Sequence, residues 1–177
     1  AFNPEPVASF FDAVLIGEGE EAIEEIVECH RDARERGVGH RELVTGLAAI
    51  DGVYVPSLYT SAGGPDEPGA WVVPTNGTPP VVTKRVVETL ARHRTPVCPV
   101  VPFMDVVHDR ATVEVLRGCT RGCRFCQAGM IYRPVRERDA DSVVRDVMEQ
   151  LACTGHDEVS LTSLSTTDHS QIEEVVR

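Results

Sequence analysis

Hydrophobic and polar positions alternate along the chain in patterns that predict strands and helices in turn. The apolar run at residues 11–17 predicts a buried strand, and it leads into a Gly-Glu-Gly-Glu sequence. Apolar residues recur at helical spacing over about residues 20–36, with Ile23, Ile26 and Val27 on one face and Cys29 outside it. A strand, a glycine turn and a helix in this order form one step of a layered α/β domain.

The last third of the chain repeats this order with a clearer periodicity. Residues 112–117 predict a strand, and a loop of about 20 residues separates it from a helix over residues 140–154 that Asp139 caps. Residues 158–164 predict a second strand, so the unit is a parallel crossover, and such units carry their chemistry at the carboxyl ends of the strands. The apolar face of the helix is expected to contain Val143, Val144, Val147, Met148 and Leu151.

The composition changes in the middle of the chain. Residues 57–80 contain a stretch rich in glycine and proline and predict a linker, and further prolines keep residues 96–102 from forming a helix. The sequence therefore divides into residues 1–56, a linker and extended segment over residues 57–110, and a C-terminal part over residues 111–177.

Both ends of the sequence predict incomplete units. The first strand has no earlier strand to pair with, and the chain does not begin with Met. A final helix, capped by Asp168 or Ser170, stops after barely two turns. We therefore expect a segment of a longer protein.

Composition and charge narrow the class of protein. The 177 residues include 28 acidic residues against 17 Lys and Arg, for a net charge of −11, and 42% are hydrophobic, which is ordinary for a globular protein. The negative charge argues against general binding to nucleic acids or anionic membranes, and no apolar run is long enough to span a membrane. Without a signal peptide, a cytoplasmic, reducing location is expected, so disulfides are not expected, and Cys29, Cys98 and Cys153 are predicted to be inert thiols.

Three of the six cysteines lie within eight residues: Cys119, Cys123 and Cys126. A loop with this spacing can turn three sulfurs toward one point, as three corners of an iron–sulfur cube require. Since no fourth thiol is nearby, one iron would keep an open coordination position. Six arginines and one acidic residue lie between residues 117 and 138, and this positive charge would offset thiolate charge and attract an anionic ligand group.

Other interpretations of the cysteines and arginines use the same residues. A structural zinc site would take Cys98, His108 or His156 as its fourth ligand. Zinc sites usually contain paired Cys-x-x-Cys units, and only one such pair is present, so the spacing favours a cluster. An RNA-facing surface is the alternative for the arginines, although charge compensation and salt bridges explain them more economically.

The Cys-x-x-x-Cys-x-aromatic-Cys pattern at the end of a strand resembles the radical S-adenosylmethionine (SAM) superfamily. The resemblance implies that Cys119, Cys123 and Cys126 hold a [4Fe–4S] cluster whose remaining iron is chelated by the amino and carboxylate groups of SAM. It also implies that Phe125 lies beside the adenine. Ser163 and Ser165 occupy the place of the family's Gly-Gly-Glu segment, which meets the methionine amino group, and this serine-rich version looks like that of methylthiotransferases.

The resemblance implies an enzyme that reductively cleaves SAM to a 5′-deoxyadenosyl radical, which abstracts hydrogen from a substrate. A flavodoxin- or ferredoxin-like reductant would supply the electron. Methyl or methylthio transfer are the expected outcomes, while the substrate and further catalytic residues stay unassigned. The alternative from another class is a non-enzymatic iron–sulfur or zinc module that serves structure or electron transfer.

The N-terminal part carries a second resemblance. Residues 11–20 are similar to the last strand and Gly-Glu-Gly-Glu helix start of the cobalamin-binding domain that precedes many radical SAM barrels, and residues 99–138 look like one uncharacterised branch of that class. The implied fold is α/β: the C-terminal edge of a Rossmann-like cobalamin-type domain, followed by the first βαβ unit of a partial TIM-like radical SAM barrel. Cobalamin is implied for the full-length protein only, because the Asp-x-His-x-x-Gly motif is not in this sequence. The Gly-Glu-Gly-Glu sequence either contacts a cofactor through its amides or is a turn that begins the helix.

Overall fold

The chain divides into two compact units, Ala1–Val87 and Glu88–Arg177. The computed structural model describes residues 3–62, 71–75, 77–104 and 106–177. No helix within these ranges is long and apolar enough to cross a membrane. The boundary between the units, after Val87, lies beyond the predicted linker of residues 57–80 and within the longer linker and extended segment of residues 57–110. Residues 63–70 of the predicted linker lie outside the described residues.

Within its described residues, the first unit is a small α/β unit with two antiparallel strand pairs and two α-helices. Val14–Leu15 (β1) pairs with Val53–Tyr54 (β2), and Tyr59–Ala62 (β3) pairs with Trp71–Pro74 (β4). The helices are Ala22–Glu35 (α1) and His40–Leu47 (α2). The predicted first strand is therefore shorter than expected and half-buried, and it pairs with a later strand in an antiparallel ladder.

The buried face of α1 differs from the predicted one. Ile23 and Val27 are each more than half exposed, whereas Ala22 and Ala33 are buried. Cys29, expected outside the apolar face, packs with Ile26 against the core formed by Val44, Leu47, Val53 and Val55. The reason is that α1 packs closely against α2. A Cβ added to Gly46 of α2 would lie only 3.1 Å from the Cys29 sulfur of α1, so the residues of α1 that face inward are small.

The Gly-Glu-Gly-Glu turn supports the structural interpretation of that motif. A backbone segment at Arg85 crosses it so closely that a Cβ on Gly17, whose φ is +119°, would lie 2.2 Å from the Arg85 carbonyl oxygen. The Glu18 carboxylate is buried and accepts the Val87 N–H at 2.6 Å. The Arg85 guanidinium in turn donates to Glu21 and Glu25 on the adjoining turn and α1.

The second unit contains the predicted parallel crossover. Ala111–Glu114 (β5) pairs in parallel with Val159–Thr162 (β8), and Leu116–Arg117 (β6) pairs in an antiparallel ladder with Arg136–Glu137 (β7). The helices are Ala128–Ile131 (α3), Ala140–Thr154 (α4) and Ile172–Val175 (α5). The α/β expectation is confirmed for this unit, and the predicted bounds of α4 are correct.

Helix α4 begins and ends as its sequence predicts. Asp139 accepts the Ser142 N–H at 2.9 Å, and Gly155 ends the helix with a φ of +77°. Val143 is fully buried in the core with Val113, Val115 and Leu116.

Two residues of the predicted apolar face of α4 are nevertheless exposed. Val144 is 42% exposed and Met148 62% exposed, while Asp146 and Gln150 are buried. The polar side chains are buried because they bond to a preceding segment: Asp146 pairs with Arg94, and Gln150 donates to the Pro96 carbonyl oxygen.

The cysteines outside the ligand loop include a disulfide. Cys98 and Cys153 are bonded, with Cα atoms 5.5 Å apart, so the prediction of inert thiols is wrong for this pair. The bond joins the proline-rich segment before β5 to the last turn of α4, a proximity that the sequence separation of 55 residues conceals. Cys29 remains a free, partly buried thiol.

The predicted caps of the last helix are also wrong. Helix α5 follows Gln171, which makes no capping bond through its side chain. Asp168 bonds to Arg121, and Ser170 bonds to Glu137. Both side chains bond to partners that are far away in the sequence. Local capping patterns carry no information on such partners.

Candidate functional site

The cysteine loop follows β6 at the carboxyl end of the parallel strand pair, as predicted. Gly118 has a φ of +89°, and a Cβ there would lie 2.6 Å from the Pro134 carbonyl oxygen and 2.7 Å from that of Tyr132. Arg133 donates from Nε to the Cys119 carbonyl oxygen at 3.3 Å. The base of the loop is therefore fastened against residues 132–134, and only glycine fits at its first position.

The three cysteines of the loop are free thiols in different environments. Cys119 is buried, Cys126 is partly buried and Cys123 is exposed. The Cys119 sulfur accepts the Arg121 N–H, and the Cys126 sulfur accepts the Gly129 N–H, each at 3.4 Å. Two of the sulfurs thus lie where backbone amides stabilise negative charge on them.

Gly129 lies between the two inner cysteines. A Cβ at this position would lie 3.7 Å from the Cys126 sulfur and 3.9 Å from the Cys119 Cβ. Cys123 lies outside this arrangement, and no group of three His, Cys, Asp or Glu residues in the described ranges is arranged to hold a metal ion. The neighbouring Gly122 is not crowded, since the nearest atom to a Cβ added there, in the Arg133 side chain, would be 3.7 Å away.

The donor chemistry of this loop fits an iron–sulfur cluster. It offers free thiols, backbone N–H groups directed at two of the sulfurs, and glycines at the points of closest approach. These are the features that hold such clusters and tune their charge. The sulfurs themselves do not converge on one point in this structure.

The arginines around the loop are largely paired. Arg117 forms a salt bridge with Glu114, and Arg121 forms one with Asp168. Arg136 and Arg138 are buried and donate to backbone carbonyl oxygens. These contacts support salt bridges and hydrogen bonds to the backbone as the roles of these four arginines, rather than an RNA-facing surface.

The Arg121–Asp168 pair perturbs both groups. The Arg121 guanidinium, together with the Ser165 hydroxyl, holds the pKa of the Asp168 carboxyl below its usual value. Asp168 likewise raises the pKa of Arg121, with smaller contributions from Cys119 and Cys123. The pair therefore stays ionised across the neutral range.

The predicted cofactor-contacting residues are only partly brought together. Ser165 donates to Asp168 at 2.7 Å, and Ser163 lies 2.9 Å from the Thr166 hydroxyl, so the loop after β8 reaches the cysteine loop through Asp168 and Arg121. Phe125 is 92% exposed, and its ring stacks on no other described ring. Asp168 is the residue that the sequence analysis missed. No local signal could have found it, because its partner Arg121 lies 47 residues away.

The predicted fourth ligands of a zinc site do not lie at the loop. Cys98 is bonded to Cys153, and His156 lies 3.5 Å from the Asp109 carboxylate. Cys98, His108 and His156 all precede β5 or β8, at the amino ends of the parallel strands, whereas the cysteine loop follows the carboxyl ends. The geometry therefore argues against the zinc alternative.

Comparison with known families agrees with this placement. Residues 113–177, which include the whole cysteine loop, match the family model described as "Radical SAM superfamily". Residues 1–56 match a second model, described as "Radical SAM proteins, N-terminal". The chain belongs to the radical SAM superfamily.

Membership of the radical SAM superfamily indicates an enzyme of the radical SAM class that uses an iron–sulfur cluster and SAM. The two matches together cover more than half of the chain. No curated protein and no solved structure matches this radical SAM protein significantly.

Proposed function

We propose that this protein is a radical SAM enzyme in which Cys119, Cys123 and Cys126 bind a [4Fe–4S] cluster. The observation that carries the proposal is the loop itself: free thiols after β6, two of them accepting backbone N–H groups at 3.4 Å, within the segment that matches the superfamily. When bound, the cluster supplies the electron that cleaves the sulfonium of SAM. A flavodoxin- or ferredoxin-like protein is the proposed source of that electron.

The protein's own groups would hold and shield the site. The amides of Arg121 and Gly129 stabilise negative charge on the Cys119 and Cys126 sulfurs. Burial of Cys119 keeps water from one side of the loop, and the exposed Cys123 would complete the ligand set by turning inward. With three protein ligands, one iron is left open for the amino and carboxylate groups of SAM.

The residues that would contact SAM are proposals of the same kind. Phe125 adjoins Cys126, and its exposed ring is available to stack against the adenine. Ser163 and Ser165 follow β8 and present hydroxyls on the same edge of the sheet as the cysteine loop. Hydroxyls are suitable acceptors for the methionine amino group.

The direct test is anaerobic reconstitution with iron and sulfide, followed by electron paramagnetic resonance of the reduced protein with and without SAM. The expected result is a [4Fe–4S]⁺ signal that shifts when SAM is added. Alanine at any one of Cys119, Cys123 or Cys126 is expected to abolish this signal, because each removes one of three ligands. Cys29→Ala, which removes a free thiol of the other unit, is the matched control and is expected to leave the signal intact.

Three results would overturn the proposal. Stoichiometric zinc without a cluster would support a structural metal module, and a cluster insensitive to SAM would support electron transfer or structure alone. Cluster formation that survives loss of one of the three cysteines would show that the ligands are elsewhere.

The reaction outcome and the cobalamin association are finer proposals. Methylthio transfer is favoured by the serine-rich loop after β8, and methyl transfer through cobalamin by the resemblance of residues 11–20 to a cobalamin-domain edge. Absorption spectra separate them, since a cobalamin-dependent enzyme would show the corrin absorption bands after reconstitution.

A further inference from the structure

One ion pair joins the cysteine loop to the loop after β8. Arg121, between Cys119 and Cys123, donates from Nε to one carboxylate oxygen of Asp168 at 2.6 Å and from a terminal nitrogen to the other. The oxygen that accepts from Nε also accepts the Ser165 hydroxyl at 2.7 Å. The contact is a bidentate arginine–carboxylate pair, the geometry with the strongest directional preference.

Residues on both sides of the pair make further hydrogen bonds. On one side, the Arg121 backbone N–H donates to the Cys119 sulfur at 3.4 Å. On the other side, the Ser165 N–H donates to the Ser163 hydroxyl at 3.1 Å. A fixed guanidinium therefore constrains both the amide directed at the sulfur and the serine hydroxyls after β8.

Stability alone does not explain this arrangement. The Arg121 side chain is 63% exposed, and exposed ion pairs contribute little to the free energy of folding. The pair instead fixes the position of two loops relative to each other, because it links loops that follow different strands at the edge where the site lies.

We propose that Arg121 and Asp168 form a positioning pair that fixes the cysteine loop against the loop after β8. The pair keeps the Arg121 N–H directed at the Cys119 sulfur and keeps Ser165 on the side of the site. The inference rests on the proposed function, and it concerns residues that hold the ligand loop in place without coordinating iron.

Asp168→Asn separates positioning from charge, because the two effects change the reduction potential of the cluster in opposite directions. Removing a negative charge near the site would raise the potential, whereas losing an N–H···S hydrogen bond would lower it. We expect a lower potential and iron release to a chelator that is about tenfold faster than in the wild-type protein.

Three further variants complete the experiment. Glu173→Gln, which breaks an exposed ion pair with Arg177 away from the cysteine loop, is the matched control and is expected to match the wild type. Asp168→Glu, which keeps the carboxylate, is expected to restore most of the iron retention. The double variant Arg121→Asp with Asp168→Arg restores an ion pair with reversed charges and is expected to retain iron better than either single variant, which also tests the pair if Asp168→Asn does not fold.

The outcomes for the inference and for the proposed function are distinguishable. If the wild-type protein forms no cluster, the proposed function fails, and the inference fails with it. If the wild-type cluster forms and Asp168→Asn keeps its iron with an unchanged or raised potential, the positioning role is overturned while the proposed function stands. Cluster loss in the single variants, relieved in the charge-reversed pair, supports the inference.

Discussion

Two glycines of the ligand loop have the same backbone preference but different surroundings. Gly118 and Gly122 both have positive φ, at +89° and +64°. At Gly118 an added Cβ would meet backbone carbonyl oxygens at 2.6 and 2.7 Å, whereas at Gly122 the nearest atom would be 3.7 Å away. Glycine is therefore required at 118 both by the lack of room for a Cβ and by the positive φ, whereas at 122 it is required by the positive φ alone.

Gly118→Ala is therefore expected to be the more damaging substitution. The strained backbone costs about 1–3 kcal/mol, and the collision with fixed backbone at residues 132–134 adds to it. Gly122→Ala is the control and is expected to cost about 1 kcal/mol. Denaturant unfolding of the two variants measures the difference, and cluster content after reconstitution should follow it. Equal losses of stability would contradict the close approach at Gly118.

At the level of single elements, the sequence predicted local features well and tertiary partners poorly. The bounds of α4 could be predicted because its Asp139 cap, its periodicity and Gly155 lie within one stretch of sequence. The burial of Asp146 and Gln150 could not, because their partners at Arg94 and Pro96 lie more than 50 residues away. A hydrophobic pattern ranks residues by their own polarity and carries no information on such partners.

In the candidate site, too, local features could be predicted from the sequence and tertiary contacts could not. The three cysteines and their place after a strand were predictable, because spacing and strand order are local properties. The Arg121–Asp168 contact was not, since it joins residues 47 apart and the sequence assigned Asp168 to a helix cap. The inner and outer positions of Cys119 and Cys123 likewise depend on how the loop folds.

The cap of α4 has a pH dependence that can be tested. The pKa of Asp139 is lowered, chiefly because its carboxylate accepts the Ser142 backbone N–H. A lowered folded-state pKa gives stability that is present above the unfolded value of about 4 and is lost as the pH falls through the folded value. Asp139→Ala is expected to lower the free energy of unfolding at pH 7 by about 1 kcal/mol.

Asp139→Asn is the matched variant for that prediction. Asparagine keeps a side-chain oxygen for the cap but has no charge to lose, so its stability should depend less on pH below about 4. Denaturant midpoints of the three proteins between pH 3 and pH 7 measure the effect. A wild-type protein that loses no more stability than the asparagine variant over this interval would rule out the charged cap.

On the scale of the whole molecule, the three cysteines proposed as cluster ligands and the residues proposed to contact SAM all belong to the unit Glu88–Arg177. That unit also contains the Cys98–Cys153 bond, which closes a ring around β5, the ligand loop and most of α4. A disulfide that closes a loop of this length stabilises by about 4 kcal/mol, mainly by restricting the unfolded chain.

The disulfide is tested by counting thiols. The protein unfolded without reductant is expected to show four reactive thiols, rising to six after reduction. Changing both Cys98 and Cys153 to Ser should lower the free energy of unfolding by about 4 kcal/mol and leave the count at four with or without reductant. Six reactive thiols before reduction would show that the bond is absent.

The covalent ring has a consequence for how the protein would be damaged. Arg124 is exposed and lies inside the ring, in the middle of the ligand loop, where a trypsin-like protease recognises its side chain. A cut there would separate Cys123 from Cys126 along the backbone, yet both pieces would stay joined through Cys98 and Cys153. The nicked molecule would migrate as an intact chain until it is reduced, so the ligand set can be broken while the polypeptide still travels as one piece.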